Sequence, residues 1–369
     1  MHRTGQDLLE SRVTEWFPLL PRTRPHCRAL DHRVEEIRQL TRAAAGKPAE
    51  DRIATAAEAH NKAALVLSDC GLHDAAHQLC WQQFDLFHAN WPLPVRSAKL
   101  ALQPVVNLGR LLVRAGHFDR AYEIFVNVFD AVRNQTTTTV DGRKIDFSPF
   151  VVRPEHHKEV VRFLWTVLLA DGTRALTRAG RWHDALQHVQ NQKGIARRML
   201  DGRQVAILER YFADDYDAAL HLLDHSETPD AWDRAVAGFL RALCLRSIAP
   251  ADRAMPTAEV EKFLHPAPTP GHPVFRIRLG LCILDLTADV DAPRLAAQLV
   301  REALTSGDAY LARDVLTHDR CRSDTTEDNL TTLTATVHAA GLGRGALPNR
   351  LRDALTAAVR ASEALLTTW

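Results

Sequence analysis

Apolar residues in this chain recur every three or four positions, and that rhythm limits its possible folds more than any other property. Leu30, Val34, Ile37 and Leu40 fall on one helical face; so do Ile53, Ala57, Ala64 and Leu67, then Leu79, Trp81, Phe84 and Phe87. Such spacing belongs to amphipathic helices, whose side chains return to the same face about every 3.6 residues. Between Gly46 and Val132 nearly every segment carries it, with short breaks of Gly, Asp, Pro or His. Long alternating runs are missing, which argues against a sandwich or a doubly wound sheet. The fold class expected is all-α.

Two stretches depart from the pattern. Thr136 to Phe147 contains Asp141-Gly142, a two-residue turn signal between β-forming flanks, and predicts a small β-hairpin. Pro250, Pro256, Pro266, Pro268, Pro270 and Pro273 crowd one region where a continuous helix cannot run. Helical spacing resumes over 274–286, 294–304 and 347–366, the last with Pro348 in its first turn. The division expected is a helical cap over 1–50, a repeat region over 51–249 with the hairpin inserted at about 134–154, a Pro-rich boundary loop over 250–273, and a helical region over 274–369.

Within the repeat region, Pro104 to Val128 carries Leu108-Gly109, Leu112, Gly116, Ala121 and Phe125. Gly109 lets two helices approach closely. Gly116 ends the first helix in a conformation that L-residues resist. Ala121 is small where the second helix crosses the first, and Phe125 fills the space beneath. These residues resemble a tetratricopeptide repeat, with Val105 in place of the usual Trp and Leu112 in place of the usual Tyr. Weaker copies pair Gly71 with Ala76 and Cys80, Gly180 with Ala185 and Val189, and Asp214 with Ala219 and Leu223. Gly180 and Asp214 are 34 residues apart, the period of that repeat. The resemblance covers about 53–225. It implies a TPR-like α-solenoid of antiparallel helix pairs with one hairpin insertion.

The resemblance also implies that the first helix of each pair lines a concave groove. Aligning on Gly116 and Gly180 matches Arg110 with Arg174, Arg114 with Arg178, and Asn107 with Asp171; Asn61 and Lys62 lie on the preceding first helix. The ligand-binding set expected is therefore Asn61, Asn107, Arg110, Arg114, Asp171, Arg174 and Arg178. Four guanidiniums in one hollow would attract an acidic peptide, a C-terminal carboxylate or a phosphoryl group, because the guanidinium fork donates two parallel bonds. The plainer reading is that they are solvated residues partly paired with Asp171 and neighbouring acids.

Other constellations carry less. His73 and His77, and His221 and His225, have a spacing that can put two imidazoles on one metal. No HExxH and no third ligand accompanies either pair, and no metal or cofactor is expected. His156-His157 is read as helix-start hydrogen bonding. Trp81, Trp91, Trp165, Trp182 and Trp232 are read mostly as core, with Trp91 in its loop the best candidate for exposure. The hairpin is either a tolerated surface insertion or a flap over the groove; Arg143, Lys144, Phe147 and Phe150 make the second reading reasonable, and the choice stays open. Walker, GxGxxG, GxSxG and CxxC patterns are absent.

The 46 basic and 45 acidic residues nearly cancel, which argues against a chain that coats nucleic acid or an anionic membrane. No stretch approaches 18 uncharged apolar residues, and Met1 to Leu20 shows no apolar run between a basic start and a small-residue cleavage site, so neither a membrane span nor a signal peptide is expected. Cys27, Cys70, Cys80, Cys244, Cys282 and Cys321 sit mostly in apolar helical patterns, as small buried hydrophobes of a reducing cytoplasm. The function expected is a scaffold or regulator that binds an acidic protein segment. The alternatives are a regulator sensing a small ligand or signalling peptide, and an enzyme or enzyme accessory on a helical-repeat body. Binding is favoured over catalysis.

Overall fold

The computed structural model describes residues 5–248, 255–265 and 272–367. They are predominantly helical, with one two-stranded antiparallel sheet, and none of their helices is long and apolar enough to cross a membrane. Their contacts form two compact units, each assembled from two separate stretches of chain. One joins Met1–Arg28 to Gly180–Ala340; the other joins Ala29–Ala179 to Gly341–Trp369. This division differs from the sequence-based segments, and it places the helix before Gly180 in one unit and the helix after it in the other.

Helix α1 (Gly5–Trp16) belongs to the first of these, here called the companion unit. The chain then enters the hairpin-bearing unit through α2 (Leu30–Ala45), α3 (Ala49–Asp69), α4 (His73–His88), α5 (Val95–Arg114) and α6 (Phe118–Asn134). Each packs on the next, and α3 also lies against α5. Strands β1 (Thr137–Val140) and β2 (Arg143–Asp146) follow, then α7 (Pro154–Val167), a π-helical turn (Leu168–Gly172) and α8 (Thr173–Arg178). Since α7 also packs on α5, the helices α3, α5 and α7 lie side by side.

The positions singled out by the repeat share one local geometry. Gly71, Gly116, Gly180 and Asp214 all have positive φ, at 79°, 80°, 73° and 58°. Five residues beyond each stands an alanine (76, 121, 185, 219) with no exposed surface. Nine residues beyond stand Cys80, Phe125, Val189 and Leu223, all buried. A left-handed residue reverses the chain, and the small residue one turn into the next helix lets the two axes close up.

The hairpin pairs Thr137 with Asp146 through Val140 with Arg143. Asp141 and Gly142 both have positive φ, as a type I′ turn demands. Val140, Ile145, Phe147 and Phe150 point into the core. The tip is fixed to three residues one helical turn apart on α4. Asp141 bonds His77 at 2.5 Å, Arg143 bonds Asp85 at 2.5 Å, and the Arg143 guanidinium stacks 4.1 Å from the Trp81 ring centroid. Arg120 of α6 adds a 2.9 Å bond to Asp141. The tip therefore sits on α4 and α6, and of the two readings left open the contacts favour the insertion over the flap.

Trp91, the expected candidate for exposure, calls for a correction. It is partly buried, with ring centroids 4.6 Å from Phe150, 5.3 Å from Phe147 and 4.6 Å from His88. The loop expected to display it instead folds back on the base of the hairpin, where Leu93 bridges to Val151.

After the companion unit the chain returns. Gly343 and Gly345 donate backbone bonds to Asp69 and Cys70 at the end of α3. Helix α19 (Asn349–Leu366) then packs on α2 and α3, with Pro348 as the residue before its first turn. This contact covers the apolar face of the hairpin-bearing unit's first two helices, which sequence reasoning left without a partner.

The companion unit runs through α9 (Trp182–Asn191), α10 (Asp201–Phe212), α11 (Tyr216–Asp224), α12 (Ala231–Ile248), α13 (Thr257–Leu264), α14 (Pro273–Leu286), α15 (Ala292–Ser306), α16 (Ala309–Thr317), α17 (Asp319–Ser323) and α18 (Glu327–Ala339). Part of the expected Pro-rich loop is thus helix α13, preceded by Pro256, and Pro273 opens α14. Pro250, Pro266, Pro268 and Pro270 lie outside the described residues. Helix α1 packs on α14, and Arg12 bonds Asp285 at 2.5 Å. The six cysteines are all buried and none is in a disulfide; burial pushes the Cys80, Cys244 and Cys321 thiols up to about 12.

Candidate functional site

Helix α5 carries a polar stripe at Arg96, Lys99, Gln103, Asn107, Arg110 and Arg114, spaced three or four apart along one edge. The opposite side is apolar and buried, including Ala98, Leu102, Val105 and Gly109. The stripe emerges between α3 and α7 because those helices flank α5. Five of its members cross-link the three helices.

Toward α3, Arg96 bonds Asp51 at 2.8 Å, the Asn107 amide donates to Asn61 at 3.0 Å, and Arg114 donates to Asp69 at 2.9 Å and to Ser68 at 3.3 Å. Toward α7 and the π-helical turn, Lys99 bonds Glu159 at 2.5 Å. Arg110 donates to one oxygen of Asp171 from both Nε and Nη2, at 3.1 and 2.8 Å. Asp69 also accepts a 2.5 Å bond from Arg33 of α2, so its carboxylate joins two guanidiniums. The carboxylates are buried, at 7% exposure for Asp171 and 4% for Asp69, whereas the guanidinium side chains of Arg110 and Arg114 remain 47% and 31% exposed.

Five of the seven expected site residues therefore lie on one polar seam. Asn61, Asn107, Arg110 and Asp171 form a connected chain of hydrogen bonds, and Arg114 lies one turn beyond Arg110. Arg174 and Arg178 are on α8, partly buried, and both are engaged in interactions. The arrangement differs from a well of like charges. Asp171 was matched to Asn107 by counting back from Gly180, but the π-helical turn inserts one extra residue in that count. The insertion rotates Asp171 relative to an unbroken α-helix and brings its carboxylate to Arg110. Counting back from Gly71 shows that Asp69 occupies the position equivalent to Arg114. Neighbouring helices thus put opposite charges at the same repeat position, and the pair closes between them.

Lys62, expected to extend the face, is bonded to Glu36 and lies 3.3 Å from Glu58. Partial burial pulls its pKa down, but the two carboxylates outweigh that and hold it above the ordinary lysine value. Sequence reasoning missed Arg33, Asp69, Arg96, Lys99 and Glu159. The stripe on α5 was readable as a period; its partners are up to 61 residues away in sequence and carry no local mark.

The histidines have structural partners. His77 holds the hairpin tip, and His157 Nε2 lies 2.7 Å from the Val132 carbonyl at the end of α6. The His221 and His225 rings lie tilted to one another with centroids 4.2 Å apart, and His225 Nδ1 lies 2.8 Å from the His221 carbonyl. Among the described residues no cluster of three or more His, Cys, Asp or Glu side chains is placed to hold a metal.

What the seam can do chemically follows from its shape. A guanidinium pinned from behind by a buried carboxylate keeps its outer edge in a fixed direction. Such an edge donates hydrogen bonds to planar anions with little further ordering. Compared with known proteins, the chain matches no family model, no curated protein and no solved structure.

Proposed function

We propose that the hairpin-bearing unit is a TPR-like binding module that takes an acidic protein segment on the face formed by α3, α5 and α7. The observation that supports this reading most is the pair Arg110 and Arg114. They stand one turn apart on α5, each anchored by a carboxylate that is itself buried, each with much of its side chain open to solvent. A carboxylate arriving from outside would meet donors already oriented, with the amide pair Asn61–Asn107 beside them to bond a ligand backbone. Arg174 and Arg178 belong to the same proposed site. The regular phase of left-handed turn, buried alanine and buried larger residue supports the likeness to tetratricopeptide pairs. Six buried thiols favour a reducing, cytoplasmic setting.

Because the guanidiniums are half exposed and already paired, binding is expected to be salt-sensitive. The test uses a fluorescein-labelled octaglutamate peptide and anisotropy at low and moderate salt. Arg110→Gln/Arg114→Gln should weaken binding roughly tenfold or more and flatten its salt dependence. Unchanged affinity and unchanged salt dependence in the folded variant would show that this face is not the acidic-segment site.

A further inference from the structure

Within the companion unit, α12, α13 and α14 surround a pocket of about 490 Å³ that includes its open mouth. Its walls are aromatic and aliphatic. Trp232 of α12 meets Phe275 of α14 edge to face at 6.0 Å, and Phe263 of α13 and Leu279 of α14 complete the apolar lining.

The polar groups of the lining are all cationic or imidazole: Lys262, Arg276 and His272. Arg276 stacks 4.5 Å from the Phe263 ring centroid and is held by Glu302 through bonds of 2.8 and 2.9 Å. Lys262 bonds Glu259 at 2.5 Å but stays 71% exposed at the rim. His272 has no side-chain hydrogen bond among the described residues, and its Nδ1 is buried without a partner. A buried ring nitrogen left unbonded carries a desolvation cost that a ligand can relieve. Among the described residues no carboxylate lines the pocket. The first turn of α14 adds partial positive charge at the same end.

We propose that this pocket is a binding site for a small molecule with a flat apolar body and one anionic group, such as an aromatic carboxylate or sulfonate. The body lies between Trp232, Phe263 and Phe275. The anion sits against the cationic part of the lining, with Lys262 at the rim as its main partner. The site is independent of the acidic-segment face proposed above, since its ligand class and its residues are different.

The experiment titrates the full chain with 8-anilinonaphthalene-1-sulfonate and with its neutral analogue N-phenyl-1-naphthylamine, following probe fluorescence. The sulfonate should bind saturably at one site per chain, roughly tenfold more tightly than the neutral probe. Lys262→Glu, at an exposed position, should remove most of that preference while leaving the circular dichroism unchanged. Ala235→Trp, which fills the pocket from α12, should abolish saturable binding of both probes. Absence of a saturable site in the native chain, equal affinity for the two probes, or a preference unaffected by Lys262→Glu would each overturn the proposal.

Discussion

Gly109 and the Phe125 ring share one small volume: a Cβ built on Gly109 would lie 2.5 Å from two carbons of that ring. The two residues sit on α5 and α6, and both helices are packed on their other sides, so neither can retreat without cost. The aromatic ring is the larger partner and the glycine is what admits it.

The first prediction follows from that contact. Gly109→Ala should destabilise the chain by about 1–3 kcal/mol, the usual range for overpacking a closed core, despite alanine's better helix propensity. Phe125→Leu alone should also destabilise, by leaving space. The double variant should cost clearly less than the two single costs added together, because the smaller side chain makes room for the new methyl. Urea unfolding of the four proteins measures this. Additive costs would mean that the two positions are not in contact.

Arg110 and Asp171 make a test of what holds the polar seam together. Arg110→Ala takes a charged partner away from a buried carboxylate and should cost about 1–3 kcal/mol. Asp171→Asn removes the charge while leaving a side chain that can still accept from Arg110, so it should cost less. In the Arg110→Ala/Asp171→Asn double variant, part of the Arg110→Ala cost should be recovered, since no buried charge is then left unpaired. Denaturant midpoints decide this. No recovery would mean that the arginine acts through packing rather than through charge.

His60 supplies a pH dependence with a definite sign. It lies on α3 with no exposed surface, its Nδ1 3.0 Å from the Ser362 hydroxyl of α19, and burial lowers its pKa from 6.5 to about 4. The folded state therefore favours the neutral ring. The stability this represents is fully present above about pH 6.5 and is lost progressively as pH falls toward 4. Between pH 7 and 4.5 the loss should be about 2 kcal/mol at 1.36 kcal/mol per pKa unit. His60→Gln keeps a partner for Ser362 but does not titrate, so it should flatten this part of the profile. Comparing the two proteins by urea unfolding across that range isolates the histidine from the carboxylates that also titrate there. Parallel profiles would show that His60 is solvated in the native state.

How much of this was readable beforehand depended on the range of the interactions. The all-α class came from periodicity, a property of windows shorter than one helix. The left-handed turns at Gly71, Gly116, Gly180 and Asp214 came from residues whose backbone preferences act locally. The hairpin at Asp141-Gly142 came from a two-residue turn that sets its own register. The polar stripe on α5 was visible in the same way, as a row of side chains one turn apart.

The partners of that stripe were not visible. Asp171 meets Arg110 from within a π-helical turn, and such a turn leaves no compositional trace. Trp91 turns inward because Phe147 and Phe150, more than 50 residues later, offer it an apolar surface. Helix α19 covers α2 and α3 from the far end of the chain. Local residue preferences on their own established where this chain forms helices, where it reverses and where its hairpin bends. The tertiary structure alone decided which helices became neighbours and which charges were neutralised, because those outcomes depend on burying surfaces and pairing ions between segments far apart in sequence.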